Sequence, residues 1–365
     1  MLVNPSFWSG RRVLLTGHTG FKGSWLLLWL MELGSQVWTF ALEPEPSPNL
    51  FRQLAEARPA GQVWQNQIGD LADFVALKAL VLRAQPEVVL HLAAQPLVRR
   101  SYQDPLGTWA TNVMGSLHLL EALKPLQHPC AVVMVTTDKV YENREWSYGY
   151  RELDRLGGHD PYSASKAGAE IAIASWRSSF CGQGTHQTPH LRIATARAGN
   201  VIGGGDWAAD RIVPDAIRSL ARGKPIPVRN PSATRPWQHV VEPLAGYLML
   251  AESLRENSDP PCEAFNFGPN LASNRQVRDL VNNILKHWPG EWSDQSYQES
   301  PHEANFLHLQ IDKAHHRLGW QPQWDYTTTV ARTVGWYRAF HEGSSPLECC
   351  LADLNAYTSH RSLTP

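Results

Sequence analysis

Cysteine is scarce in this chain of 365 residues, and the little there is shows no pairing pattern. Cys130, Cys181, Cys262, Cys349 and Cys350 are odd in number and lack metal-ligand spacing. That excludes a disulfide framework and predicts reduced thiols in a cytoplasm. The histidines also lack ligand spacing, so no metal is expected. A net charge of −1 provides no electrostatic footprint for nucleic acid. No apolar run reaches the roughly eighteen residues of a membrane span. The start, "MLVNPSFWSGRR", has no signal-peptide pattern. Repeats and low-complexity tracts are missing too.

What is present is a globular composition, 43% apolar and 18% charged. Short apolar runs such as "RRVLLTG", "QVWTFAL", "PEVVLHLAA", "CAVVMVTT" and "LRIATARAGNV" alternate with amphipathic or apolar helical stretches. This βαβ rhythm predicts an α/β chain, a Rossmann-like doubly wound parallel sheet covered on both faces. Residues 1–200 are expected to form it. Residues 201–342 read mainly as a smaller substrate-binding lobe, with some elements, "CEAFNFGP" among them, returning to the main sheet. Ser273 or Asn274 is the expected cap of the helix in "NRQVRDLVNNILKHW". Residues 343–365 read as a tail that frays or packs on a partner chain. The 15 tryptophans are assigned to packing.

Between the first strand and first helix stands "TGHTGFKG", with Gly17, Gly20 and Gly23. Glycines there permit a tight turn and close approach of a pyrophosphate to the helix N-terminus. The dinucleotide fingerprint also wants an acid after the second strand. Glu43 lies a few residues late, and Arg52 is distant in sequence, which favours NAD over NADP. Asp70 could meet the adenine side or cap the helix in "LADFVALKAL".

The stretch "MVTTDKVYENREWSYGYRELDRLGGHDPYSASK" closes an apolar strand with Thr136, Thr137, Asp138 and Lys139, and ends on Tyr162 and Lys166. Oxidising an alcohol requires a base for its proton, and a free phenol titrates near 10. Lys166 lies one helical turn beyond Tyr162, on the same face. A nearby ammonium is expected to lower the phenol's pKa. The plainer reading of Thr136 to Asp138 is a strand-to-loop turn with side-chain-to-backbone bonds.

"TGHTGFKG", "HLAAQP", "TNVMGSLHLLEA", "YSASK" and "RAGNVIG" occur in that order. Together they resemble the extended short-chain dehydrogenase/reductase superfamily, from about residue 8 to about residue 320. The finer wording, "AAQPLVRRSY", "TTDKVYENREWSYGY" and "GNVIGGGDWAADRIVPD", resembles its CDP-glucose 4,6-dehydratases. The resemblance implies NAD as cofactor and a redox-neutral conversion of CDP-D-glucose to CDP-4-dehydro-6-deoxy-D-glucose and water. Hydride leaves C4, the C5 proton and C6 hydroxyl are lost, and hydride returns to C6. It implies Tyr162 as the C4 base, Lys166 as its partner and ribose ligand, and Asp138 as the acid at C6. Thr137 would bond the C4 oxygen. Lys139 replaces the glutamate base of the dTDP-glucose dehydratases and is expected to act in the elimination. The cofactor set is Gly17, Thr19, Gly20, Phe21, Lys22, Gly23, Asp70, Leu71, Leu92, Ala93, Ala94, Tyr162 and Lys166. The substrate set is Gln95, Arg99, Ser101, Asn200, Arg211, Arg235 and His302, with Arg235 on the diphosphate. His302 and Glu303 could equally be a surface loop. Members typically pair through nucleotide-domain helices, so a homodimer or higher homo-oligomer is expected. The alternatives are a nucleotide-sugar 4-epimerase, a dehydratase for another nucleobase, or a non-catalytic NAD-binding scaffold.

Overall fold

Six strands lie in the first two hundred residues of the computed structural model, which describes residues 3–45, 48–57, 64–181, 188–296 and 306–359. They are β1 (Arg12–Thr16), β2 (Gln36–Ala41), β3 (Gln65–Ile68), β4 (Val88–His91), β5 (Cys130–Val135) and β6 (Leu191–Ala198). A seventh, Ala264–Phe267, adds to β6, and every pairing in the sheet is parallel. From that edge strand the order runs β6, β5, β4, β1, β2, β3. The order reverses between β4 and β1, which opens a crevice at their carboxyl ends.

Alternate residues of each strand feed two apolar layers. Val13, Leu15, Val88, Leu90, Ala131 and Val133 face one, and Leu14, Val89, Val132 and Met134 the other. All six positions of β5 are buried. Each fully buried Leu or Phe contributes roughly 1.5–3 kcal/mol. The helix Phe21–Glu32 is buried nearly all round, and its Trp25 indole donates to Gly204 O at 2.9 Å. The helix Val241–Glu256 packs on β5 and β6, so part of the second half belongs to the main core.

Three expectations change. The expected helix "TNVMGSLHLLEALK" opens with a π-helical turn, Ala110–Met114, before Gly115–Leu123. Such turns accompany functional sites because they re-aim one side chain. The helix Val277–His287 is capped by Gln276 in a box with Asp279, not by Ser273 or Asn274. Asn274–Gln276 is instead a strand against Thr234–Pro236. The expected tail holds a helix, Pro346–Ser359, with Cys350, Leu354 and Tyr357 in the chain's own core. Glu242 fastens it: its carboxylate accepts from Tyr357 Oη at 2.8 Å and from the Gln323 and Trp324 amides at 2.8 and 2.6 Å.

Candidate active site

The three glycines after β1 do different work. Gly17 has φ +78°, and a Cβ there would stand 2.5 Å from Ala93 N and 2.7 Å from Leu92 C. A Cβ on Gly23 would lie 2.0 Å from Gly17 O, so the helix can close on the turn only without one. At Gly20 a Cβ would meet nothing nearer than Gly17 O at 3.5 Å. Gly20 is the N-cap, and among the described residues no side chain caps the helix there. Open space and uncapped N–H groups fit the pyrophosphate of a dinucleotide. Phe21 opens the helix under Gly203. Thr19 uses its hydroxyl on Leu42 O at 3.0 Å. His18 bonds Asn66 Oδ1 through Nε2 at 2.8 Å, and burial lowers its pKa to about 4.

Beyond β2, Glu43 is exposed just two residues past Ala41. Arg52, remote in sequence, donates to Pro44 O at 3.5 Å. The loop therefore carries an arginine as well as an acid. Asp70 accepts from Ala72 N at 2.9 Å, and the helix Phe74–Ala84 is capped by Asp73 rather than by Asp70. Leu71 is buried against Gly115. Leu92, Ala93 and Ala94 follow β4, half-buried.

At the end of β5 the chain makes a 3₁₀ turn, Asp138–Val140, capped by Thr137. Thr137 donates to Asp138 Oδ1 at 3.0 Å. Asp138 is 3% exposed, and burial raises its pKa against the pull of Lys139, the Thr137 hydrogen bond, Arg235 and Lys22. A carboxyl whose pKa is raised this way is better suited to act as an acid. Lys139 is half-buried beside it.

Tyr162 and Lys166 share the helix Pro161–Trp176, started by Asp160, which accepts from Ser163 N at 3.0 Å. Ser101 accepts from Tyr162 N at 3.1 Å, fixing the tyrosine's backbone. Both side chains are buried. Lys166 Nζ donates to Val135 O at 3.2 Å, and burial together with Lys22 lowers its pKa to about 8. The Tyr162 phenol moves opposite to the sequence expectation. Burial raises it to about 12, although a Thr137 hydrogen bond and the Arg211 charge pull it down. Desolvation of the phenolate outweighs the hydrogen bond and the Arg211 charge. Lys22 is a further cation in the cluster; burial and Arg211 lower its pKa to about 8, and Asp138 raises it.

The substrate-side residues divide. Arg211 pairs with Asp206 at 2.8 Å while its charge reaches Tyr162, and Arg235 acts on Asp138. Arg99 pairs with Asp210 at 3.2 Å, half-exposed. The Asn200 backbone carbonyl accepts from Gln238 N at 3.2 Å. Gln95 is engaged internally, with Thr108 Oγ1 at 2.9 Å and Leu97 O at 3.1 Å. His302 and Glu303 lie outside the described residues.

A family model described as GDP-mannose 4,6 dehydratase matches residues 14–333. The chain belongs to this family. It is 44% identical over 359 residues to the CDP-glucose 4,6-dehydratase of Salmonella typhimurium (strain LT2), covering 98% of this chain and 99% of that one. A dTDP-glucose 4,6-dehydratase of Streptomyces antibioticus is 29% identical, covering 92% and 95%. The fold is that of DesIV, a dTDP-glucose 4,6-dehydratase from Streptomyces venezuelae solved with NAD and TYD bound. That match has TM-score 0.77 at 24% identity and covers 92% of this chain and 99% of that one.

Within the family scaffold, several residues that position the site escaped the sequence reading. Asn112, in the π-helical turn, donates to Ser165 Oγ at 2.8 Å and Gln95 O at 3.2 Å. His91 links Thr16 at 2.7 Å to Ser116 at 3.2 Å, and burial lowers its pKa to about 3. Gly199 admits Asp138: a Cβ there would stand 2.7 Å from Asp138 Oδ2. The one available signal was Gly199 following β6 directly, where a strand meets its ligand.

Proposed function

We propose that this chain converts CDP-D-glucose to CDP-4-dehydro-6-deoxy-D-glucose and water, with NAD as cofactor. The observation that carries the reading is Asp138, a buried carboxyl raised in pKa, in the same cluster as Tyr162. An epimerase needs the tyrosine but no acid at C6. NAD would be held by the Gly17–Gly23 turn, Leu92 to Ala94 and Lys166, and supplies a hydride acceptor for C4 that later serves as donor to C6. Tyr162 takes the C4 hydroxyl proton, helped by Lys166 and Arg211, which favour the phenolate. Thr137 holds the C4 oxygen. Lys139 takes part in removing the C5 proton. Asp138 protonates the C6 hydroxyl, which departs as water. Arg235 and Arg211 are the cations for the diphosphate, and CDP is favoured by the 44% relative.

The protein's proposed setting is the cytoplasm, where its five unpaired thiols stay reduced. Its proposed partner is a second copy. The segments Pro105–Trp109 and Pro161–Trp176 pack together and leave Leu106, Trp109 and Ile171 exposed. Among the described residues no helix is long and apolar enough to cross a membrane.

The test is incubation with NAD and CDP-, dTDP-, UDP- or GDP-glucose. The expected result is loss of one water from CDP-glucose, with the alkaline absorbance of a 4-keto product. An isomer of unchanged mass would make it an epimerase, and no turnover on any of the four would sink both enzyme readings.

A further inference from the structure

Behind the site lies a buried polar network built around Glu170, one helical turn past Lys166. Glu170 Oε1 accepts from Thr136 Oγ1 at 2.5 Å. Its Oε2 accepts from Thr195 Oγ1 and from Arg197 Nη2, both at 2.8 Å. The Glu170 and Arg197 side chains are 3% and 4% exposed. Arg197 also donates to Tyr141 Oη at 2.8 Å and Glu152 O at 3.0 Å. Tyr141, which follows the 3₁₀ turn directly, donates to Asn266 Oδ1 at 2.7 Å. Asn266 in turn holds Tyr150 O at 2.8 Å and Gln310 O at 3.1 Å.

The connectivity has a consequence for the reaction. Thr136 immediately precedes Thr137 and Asp138. Arg197 lies two residues before Gly199, against which Asp138 packs. Glu170 is therefore bonded to the end of β5 and to β6, and its own helix carries Tyr162 and Lys166. Its desolvation is offset by a guanidinium and three hydrogen bonds, and its pKa falls below the usual carboxylate range despite burial. A buried carboxylate is expensive, so its retention here wants a reason.

We propose that Glu170 is a positioning residue for the dehydration: it holds Thr136, and with it Thr137 and Asp138, in register with Tyr162 and Lys166. It touches no reacting atom and acts through Thr136 and Arg197. Its charge has a second effect, because it favours the Lys166 ammonium against the opposing charge of Lys22. The other groups facing this pair are Arg197, whose charge Glu170 feels, Arg177, which feels Glu170, and His91, which feels Lys166.

This rests on the dehydratase reading, so the experiment separates the two. Thr136→Val removes the link and leaves the Glu170–Arg197 pair intact, and Thr136→Ser restores a hydroxyl. On CDP-D-glucose, Thr136→Val is expected to lower kcat at least about tenfold with KM within about twofold. Thr136→Ser should stay within about threefold of the parent. Glu170→Gln should also move the alkaline limb of kcat down by about one pH unit, because the Lys166 ammonium loses its counter-charge. Amide exchange at residues 136–139 should quicken in Thr136→Val and Glu170→Gln more than elsewhere. That readout needs no substrate, so it tests positioning even if the sugar nucleotide is another. Folded variants with parental kcat, pH profile and exchange overturn the proposal. So does a loss of kcat that merely follows melting temperature alike in Thr136→Val and Thr136→Ser.

Discussion

Gly199→Ala places one methyl group where the structure leaves no room. The new Cβ would lie 2.7 Å from Asp138 Oδ2, 3.4 Å from its Cγ and 3.3 Å from Pro236 Cγ. Ordinary contact begins near 3.4 Å, so the carboxylate must retreat by about 0.7 Å. It cannot retreat freely, since Thr137 holds its other oxygen at 3.0 Å and the site around it is buried. Misplacing a catalytic group by about 1 Å costs about a hundredfold in rate. We therefore expect kcat to fall roughly 10–100-fold. The loss should fall on one half of the reaction. Tyr162, Lys166 and the glycine turn lie on other elements, so oxidation at C4 should survive. In a single turnover the reduced-nicotinamide absorbance, transient in the parent, should persist while release of water slows. A folded Gly199→Ala protein with parental kcat and no persistent absorbance would refute the placement of Asp138 as the acid.

Asp138→Asn should abolish turnover yet stabilise the fold. Asp138's folded pKa is raised from 3.8, so its ionisation opposes folding. Its contribution is best below the unfolded value and declines as pH rises through the folded one. The melting-temperature gain of the Asn variant should thus be absent near pH 3 and open toward neutrality; a flat difference would refute it. Arg197→Met strands the Glu170 carboxylate and should cost about 3–5 kcal/mol by denaturant unfolding at neutral pH, against a loss under about 1 kcal/mol if the pair is not bonded as described. Glu170 runs the other way from Asp138. Its folded pKa is lowered, so the stability it contributes exists above about 4.5 and vanishes as pH falls through the folded value. Glu170→Gln should flatten that acid limb of the unfolding curve. Leu106→Glu with Ile171→Glu, at positions 83% and 59% exposed, should yield a folded monomer by sedimentation; a parental assembly would move the interface elsewhere.

How much of this was legible in the sequence depends on the range of the interaction. The parallel sheet was, because buried parallel strands such as "CAVVMV" are continuous apolar runs, but its edge strand β3, "QNQI", is polar and mostly exposed and carries no such run. The glycine turn was, because its constraints fall within one strand–turn–helix unit. The pairing of Thr137 and Asp138 with Tyr162 needed two separate segments, but each carries its own motif. The Pro346–Ser359 helix was misjudged because its anchor, Glu242, is more than a hundred residues away. Asn112 was hidden by a π-helical turn inside an ordinary helical pattern, and Gly199 by having a function only in relation to Asp138. The phenol's pKa was misjudged for a different reason. Counting cations near Tyr162 gave the wrong direction, because desolvation depends on how deeply the ring is buried, which no local pattern reports.

That last error bears on how the site works. The Arg211 charge reaches a phenol that burial holds protonated, Lys22 feels Arg211 and Asp138, and Lys166 feels Lys22. Two of these cations, Lys22 and Lys166, are themselves destabilised to about 8. The cluster therefore stores charge conflict: an acid that prefers its proton, a phenol that prefers its proton, and amines close to losing theirs. Such an arrangement sets proton donors and acceptors side by side, with the amines near 8 closest to exchange and the phenol strongly holding its proton until substrate and cofactor are bound. A reaction that removes a proton at C4, removes another at C5 and delivers one at C6 needs several neighbouring groups that can each hold or release one. A scaffold that only bound a dinucleotide would gain stability by replacing Asp138 with Asn, and the chain retains the costly carboxyl.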